Sequence, residues 1–228
     1  MDDEAGIAGW SETGLTTRVR QFRRVWDAEP RPPGRWLDIG CGAGTYTRLL
    51  HAEGHEVVGM DYAVTSLHKA KARSTVEDGG VHWASADILQ LPLRDGVADG
   101  VLCFGVMQAL SRPQNALQEM YRVLRPGGEL WVDALNAGCG PTLVSEWRRR
   151  QRGLPPHLRY DAPHRFAAAA RDTGFEVVHR EWLTILPGRW LRFQRGVENP
   201  LVRYMLHVLG PVGSFVSHSV MLRLRKPA

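Results

Sequence analysis

Apolar residues fall along most of this chain in short runs bounded by glycine or proline, and these runs alternate with segments of helical spacing. The runs near 35–39, 56–60, 81–85, 98–104 and 128–134 read as strands. The segments near 44–53, 64–73, 113–123, 142–152 and 163–173 read as helices. Alternation at this spacing predicts βαβ crossovers, hence an α/β fold with a doubly wound parallel sheet covered by helices on both faces. Gly174 marks the end of a helix before a strand over 175–182, and a last strand is expected near 217–225. Ahead of this pattern, Thr13 to Ala28 has helical spacing, with Leu15, Val19, Phe22 and Trp26 on one side. Pro30, Pro32 and Pro33 then separate it from the first strand. Residues 1–30 therefore read as an N-terminal helical cover and 31–228 as one domain. Residues 183–213 break the alternation and read as an insertion with a short helix near 198–209: either a connection packed on the domain, or a lid or dimer contact.

Composition narrows the class. With 228 residues the chain is long enough for one well-buried core. Twenty-nine basic and 24 acidic residues give a net charge of +5, but the basic residues are scattered. The one dense cluster, Arg148, Arg149, Arg150 and Arg152, reads as a solvated helix face, and nucleic acid is not the expected partner. Cys41, Cys103 and Cys139 lack metal-ligand spacing, so free thiols in a reducing compartment and no metal are expected. The acidic start is unlike a signal peptide. The apolar tract from Leu201 to Leu222 is interrupted by Arg203, His207, Gly210-Pro211 and His218, which argues against a membrane span. A cytoplasmic protein is the expectation; oligomeric state is not legible.

The chemistry concentrates in Trp36-Leu-Asp-Ile-Gly-Cys-Gly-Ala-Gly44. A strand runs into Gly40, Gly42 and Gly44 and then into a helix, so bare backbone and free N–H groups meet a ligand. Asp38 adds a carboxylate, which disfavours a phosphate and suits a cationic nucleoside. Asp61 ends the second strand, where a carboxylate can accept both ribose hydroxyls. Asp87 follows the third; it can accept from an exocyclic amine while the Ile88 N–H reaches a ring nitrogen. Each carboxylate alone reads equally as a helix or turn cap. Three at matching strand ends do not.

The ordered set Leu37–Gly44, Val58-Gly-Met-Asp61, Ala86-Asp-Ile88, Leu91-Pro-Leu93 and Tyr121-Arg-Val-Leu-Arg-Pro-Gly-Gly128 resembles the class I S-adenosylmethionine-dependent methyltransferases of the small-molecule type, over about residues 34 to 182 and the closing strand. The resemblance implies a Rossmann-like sheet, mostly parallel with an antiparallel last strand, and S-adenosylmethionine as cofactor. It implies that Asp38 and the Gly40–Gly44 backbone hold the methionine portion, Asp61 the ribose and Asp87 and Ile88 the adenine. Tyr62 would pack near the adenine, and Cys103 and Phe104 would line the methionine side. A nicotinamide-dependent oxidoreductase is the alternative enzyme, disfavoured because glycine arrives one residue early for Gly-x-Gly-x-x-Gly and because Asp38 would repel a pyrophosphate. A non-catalytic module that binds S-adenosylmethionine is the alternative outside enzymes.

Methyl transfer is an in-line displacement that alignment and desolvation can drive, with a general base needed only for an acceptor that must lose a proton. Asp133 and His157 are the candidate bases. Trp10, Tyr46 and Gln108 are candidate contacts for the acceptor, with the N-terminal helix as cover, so that removing residues 1–28 should impair turnover more than folding. The resemblance points to a small organic acceptor in secondary metabolism, with oxygen ahead of nitrogen or carbon as the methylated atom.

Overall fold

The structure, a computed structural model, describes residues 12–74, 81–155, 158–186 and 188–228. Helix α1 (Glu12–Trp26) precedes β1 (Arg35–Ile39), α2 (Thr45–Ala52), β2 (Glu56–Asp61), α3 (Val64–Ala72), β3 (Val81–Ser85), β4 (Ala98–Cys103), α4 (Pro113–Val123) and β5 (Leu124–Leu135). There follow α5 (Gly140–Gln151), α6 (Pro163–Asp172), β6 (Glu176–Leu183), a 3-10 segment (Gly188–Phe193), α7 (Gln194–Val197), α8 (Pro200–Val208), α9 (Gly210–Val216) and β7 (Ser219–Arg225). Seven strands form one sheet in the order β3-β2-β1-β4-β5-β7-β6. The pairings among β1 to β5 are parallel, and β7 lies antiparallel between β5 and β6. The last strand is thus antiparallel, as the resemblance implies. The chain winds outward from β1 to β3 and then resumes at β4 beside β1, so the sheet switches direction between β1 and β4, where ligands of such folds bind.

The central strands are buried on both faces, and their side chains sort by alternation. Leu37 and Ile39 of β1, Val101 and Cys103 of β4, and Leu130, Val132 and Ala134 of β5 pack with Leu117, Met120 and Phe166 of α4 and α6. Trp36, Leu102 and Trp131 face the other way, into a cluster with Phe22 and Trp26 of α1 and Tyr46 and Leu50 of α2. Asp38 and Asp133 occupy the next positions on that second face, directly beyond Trp36 and Trp131. Two aromatic-lined columns therefore each end in a carboxylate at the ligand edge.

Two expectations change. β5 begins at Leu124 rather than near 128, because the strand continues through a register shift opposite Ala98 and Gly100, and Gly127 and Gly128 bond to Lys226 beyond β7. Helix α1 lies over more than the site. Phe22 meets Phe104 past the end of β4, and Trp26 meets Trp36 at the start of β1, so α1 descends the sheet face as a core element. Truncation to residue 28 would strip the cover from Trp36 and Trp131, and is expected to cost folding as well as turnover. Trp10 lies outside the described residues.

Candidate cofactor and acceptor site

Gly40, Gly42 and Gly44 all adopt positive φ, at 71°, 53° and 76°. A Cβ on Gly40 would strike Val106, and one on Gly44 would strike the ring of Trp83. The turn is therefore bare because both its backbone conformation and its neighbours forbid side chains. Trp83, opposite Gly59 in the register of β2 and β3, also fills the space a Cβ on Gly59 would take. The loop is fastened to β2 by Gly40 and Cys41 N–H donating to the Met60 carbonyl at 2.7 and 3.0 Å.

The carboxylates converge on this loop. Asp61 accepts from Gly42 N–H at 2.9 Å through one oxygen and from Ala63 N–H at 2.8 Å through the other. Asp38 is buried and accepts from the Thr47 hydroxyl at 2.5 Å. Burial pushes its carboxyl up to about 6, against the lowering effect of Thr47, and Asp61 raises it further. Burial likewise raises the Cys41 thiol, with the nearby Asp38 and Asp61 charges adding to it. A thiol held neutral beside two carboxylates is not a nucleophile. Asp87 is exposed and accepts from Leu89 N–H at 2.9 Å, closing a turn that leaves Ile88 buried. Tyr62, 80 % exposed, stands at the end of β2 with its ring open to solvent.

Beyond β4 the residues divide. The Cys103 side chain is enclosed in the α4 and α6 core and only its backbone reaches the edge. Phe104 turns to the α1 face and packs edge-on against Tyr46, with ring centres 4.9 Å apart. Tyr46 is buried, which raises its phenol, with Arg18 opposing the shift. Gln108 donates to the Gly105 carbonyl at 2.6 Å and so braces the turn after β4. Asp133 is buried: Arg18 of α1 donates to one oxygen and Gly105 N–H to the other at 2.7 Å. His157 lies outside the described residues.

Sequence reasoning missed two groups here. Arg18 looked like one more scattered arginine, yet it is buried and paired with Asp133 across 115 positions of sequence. His218, read only as an interruption of an apolar tract, sits beside the same pair. Burial and the Arg18 charge hold its ring near a pKa of about 4, so it is neutral at ordinary pH. Neither carries a local signal, because both depend on α1 and β7 meeting at the end of β5. A separate cavity of about 320 Å³ opens between α4 and α6, with Gln114, Arg159, Tyr160 and Arg165 among its walls.

The donor set fits a sulfonium nucleoside: bare turn, buried carboxylate near the helix N-terminus, and a second carboxylate at the tip of β2. Comparison with known proteins agrees. Residues 37–132 match the family described as Methyltransferase domain. The chain is 36 % identical over 120 residues to a malonyl-[acyl-carrier protein] O-methyltransferase of Serratia marcescens, covering 52 % of this chain and 45 % of that one. It is 30 % identical over 192 residues to 24-methylenesterol C-methyltransferase 2 of Oryza sativa subsp. japonica, covering 79 % and 52 %. The chain thus spans about half the length of the curated relatives it matches. Among solved structures, an S-adenosylmethionine-dependent methyltransferase from Mesorhizobium loti superposes with a TM-score of 0.66 at 17 % identity, covering 92 % of this chain and all of that one.

Proposed function

We propose that the chain is a class I S-adenosylmethionine-dependent methyltransferase, as the family match and the curated relatives support, and that it transfers a methyl group from S-adenosylmethionine to a small organic acceptor, at an oxygen that arrives already ionised. The observation that carries the cofactor half is the convergence of Asp38 and Asp61 on the three-glycine turn at the β1/β4 switch. Asp61 would exchange its bond to Gly42 for the ribose hydroxyls. Asp38 and the turn would hold the methionine portion, and Asp87 with Ile88 the adenine, with Tyr62 folding over it and Phe104 lining the methionine side. The bound donor supplies a methyl group activated on sulfonium. The chain's own contribution is alignment and exclusion of water, for which the packed Phe22, Tyr46 and Phe104 rings are suited.

The acceptor half rests on Asp133. Its two oxygens already accept from Arg18 and Gly105, so it serves as an anchor for α1 rather than as a base. An acceptor that needs no deprotonation, such as a carboxylate or an acidic enol, matches a site whose buried carboxylate is already engaged. The O-methyltransferase relative supports oxygen; the sterol C-methyltransferase relative supports carbon, and product analysis separates them.

Calorimetry with S-adenosylmethionine and S-adenosylhomocysteine tests the cofactor half. Asp61→Ala should weaken binding by about 1–3 kcal/mol; unchanged affinity would remove the ribose from that carboxylate. Affinity for the donor should rise with pH through about 6 as Asp38 ionises, and Asp38→Asn should flatten the rise. The free protein responds oppositely. A carboxyl raised by folding contributes its full stability below the unfolded value of about 4 and loses it as pH climbs through about 6. Release of S-adenosylhomocysteine on adding an acceptor distinguishes an enzyme from a binding module.

A further inference from the structure

Residues 188–216 separate β6 from β7, and α5 follows β5, so both emerge at the edge of the sheet where the glycine turn lies. Helix α8 is inverted relative to an ordinary surface helix. Leu201, Tyr204, Met205 and Val208 form one stripe at helical spacing, 69 %, 64 %, 47 % and 59 % exposed. On the opposite side Arg203 points inward and donates to the buried Glu181 at 2.7 Å. The apolar surface continues beyond α8. Phe215 of α9 is exposed, and its ring lies where a side chain on Gly140 at the start of α5 would sit, which brings the two helices into contact. Along α5, Leu143, Val144 and Trp147 are exposed in turn.

The charge of these segments is mainly positive. Residues 140–154 and 188–216 together hold eight arginines and two glutamates, and one of the arginines, Arg203, is turned inward onto Glu181. Arg148, Arg150 and Arg152 at the end of α5 and Arg192 and Arg195 ahead of α8 are exposed. Among the described residues, no helix is long and apolar enough to cross a membrane. An exposed apolar helical stripe with an aromatic member, with exposed arginines on the segment that precedes it and on α5, has the make-up of a helix that lies in a bilayer interface and is drawn there by anionic headgroups.

We propose that α5, α8 and α9 form a surface that docks on an anionic lipid bilayer, with the apolar stripe of α8 entering the headgroup layer and the flanking arginines meeting acidic lipids. The test is flotation of the purified full chain with vesicles of phosphatidylcholine, alone or mixed with phosphatidylglycerol. Binding is expected to the mixed vesicles, to weaken with added salt, and to fall roughly tenfold or more in Arg148→Gln/Arg150→Gln/Arg152→Gln, since each arginine near an acidic surface contributes about a fivefold factor. Leu201→Glu/Val208→Glu should abolish it, and circular dichroism should show this variant folded because α8 buries no side chain. Equal binding to both vesicle types, or to neither, overturns the proposal. So does a dimer that Leu201→Glu/Val208→Glu dissociates without any vesicle binding, which would assign the surface to a second copy. The flotation contains no methyl donor, so its failure leaves the methyl-transfer proposal standing, and failure of donor calorimetry leaves this one standing.

Discussion

Helices α4 and α8 carry apolar side chains at nearly the same spacing and put them in opposite environments. In α4, Ala116, Leu117, Met120 and Val123 are completely buried against the sheet. In α8, Leu201, Tyr204, Met205 and Val208 face outward, and the side toward the domain carries Arg203, bonded to Glu181, and the half-buried Leu206. Spacing fixes which residues share a face; it does not say what covers that face. α4 is the crossover between two adjacent parallel strands and has no choice but to lie on them. α8 belongs to a connection between antiparallel neighbours, which needs no crossover, and so it is free to present its stripe elsewhere.

The largest effect that would break this contrast is in α4. Leu117→Ala should cost about 2–5 kcal/mol in chemical denaturation, the range for truncating a fully enclosed leucine. A loss below that range would mean that the α4 face is looser than its burial implies. Next comes the polar anchor of α8. Glu181 is buried, which works to raise its carboxyl, but its contacts with His179 at 3.4 Å, Arg203 at 2.7 Å and Arg24 at 2.9 Å hold it below the usual range. Glu181→Gln should cost about 1–3 kcal/mol, and amide exchange should quicken in α8 but not in α4. Protection unchanged in α8 would show that the ion pairs do not anchor it. The smallest effect sharpens the comparison: Leu201→Ala should stay within about 0.5 kcal/mol of the parent. A penalty like that of Leu117→Ala would prove the α8 stripe covered.

The same contrast explains what could be read from the chain. The strands at 35–39 and 56–60, the helices of the parallel half and the glycine turn were legible because local spacing and tertiary burial agree there. Asp38 and Asp61 were legible as a set because strand ends fall at one edge of any parallel sheet. The insertion was not: one helix near 198–209 was expected, where a 3-10 segment and α7, α8 and α9 occupy 188–216, since glycine and proline punctuate turns as readily as they end helices. The ion pair of Asp133 with Arg18 also escaped, because Arg18 arrives from another element. A residue's neighbours across a sheet are set by topology, not by spacing.

Trp83 has a consequence for how the turn can vary. One indole fills the room that side chains at 44 and 59 would need, so the three positions share a single volume and are interlocked. Exchanging the tryptophan for something smaller would clear the nearest obstacle at position 59 and leave Thr47 Oγ1 3.0 Å from a methyl group there, while position 44 stays closed by its left-handed backbone. Drift at this corner of the pocket has an order: the large ring must shrink first, and only then can its neighbour on β2 grow.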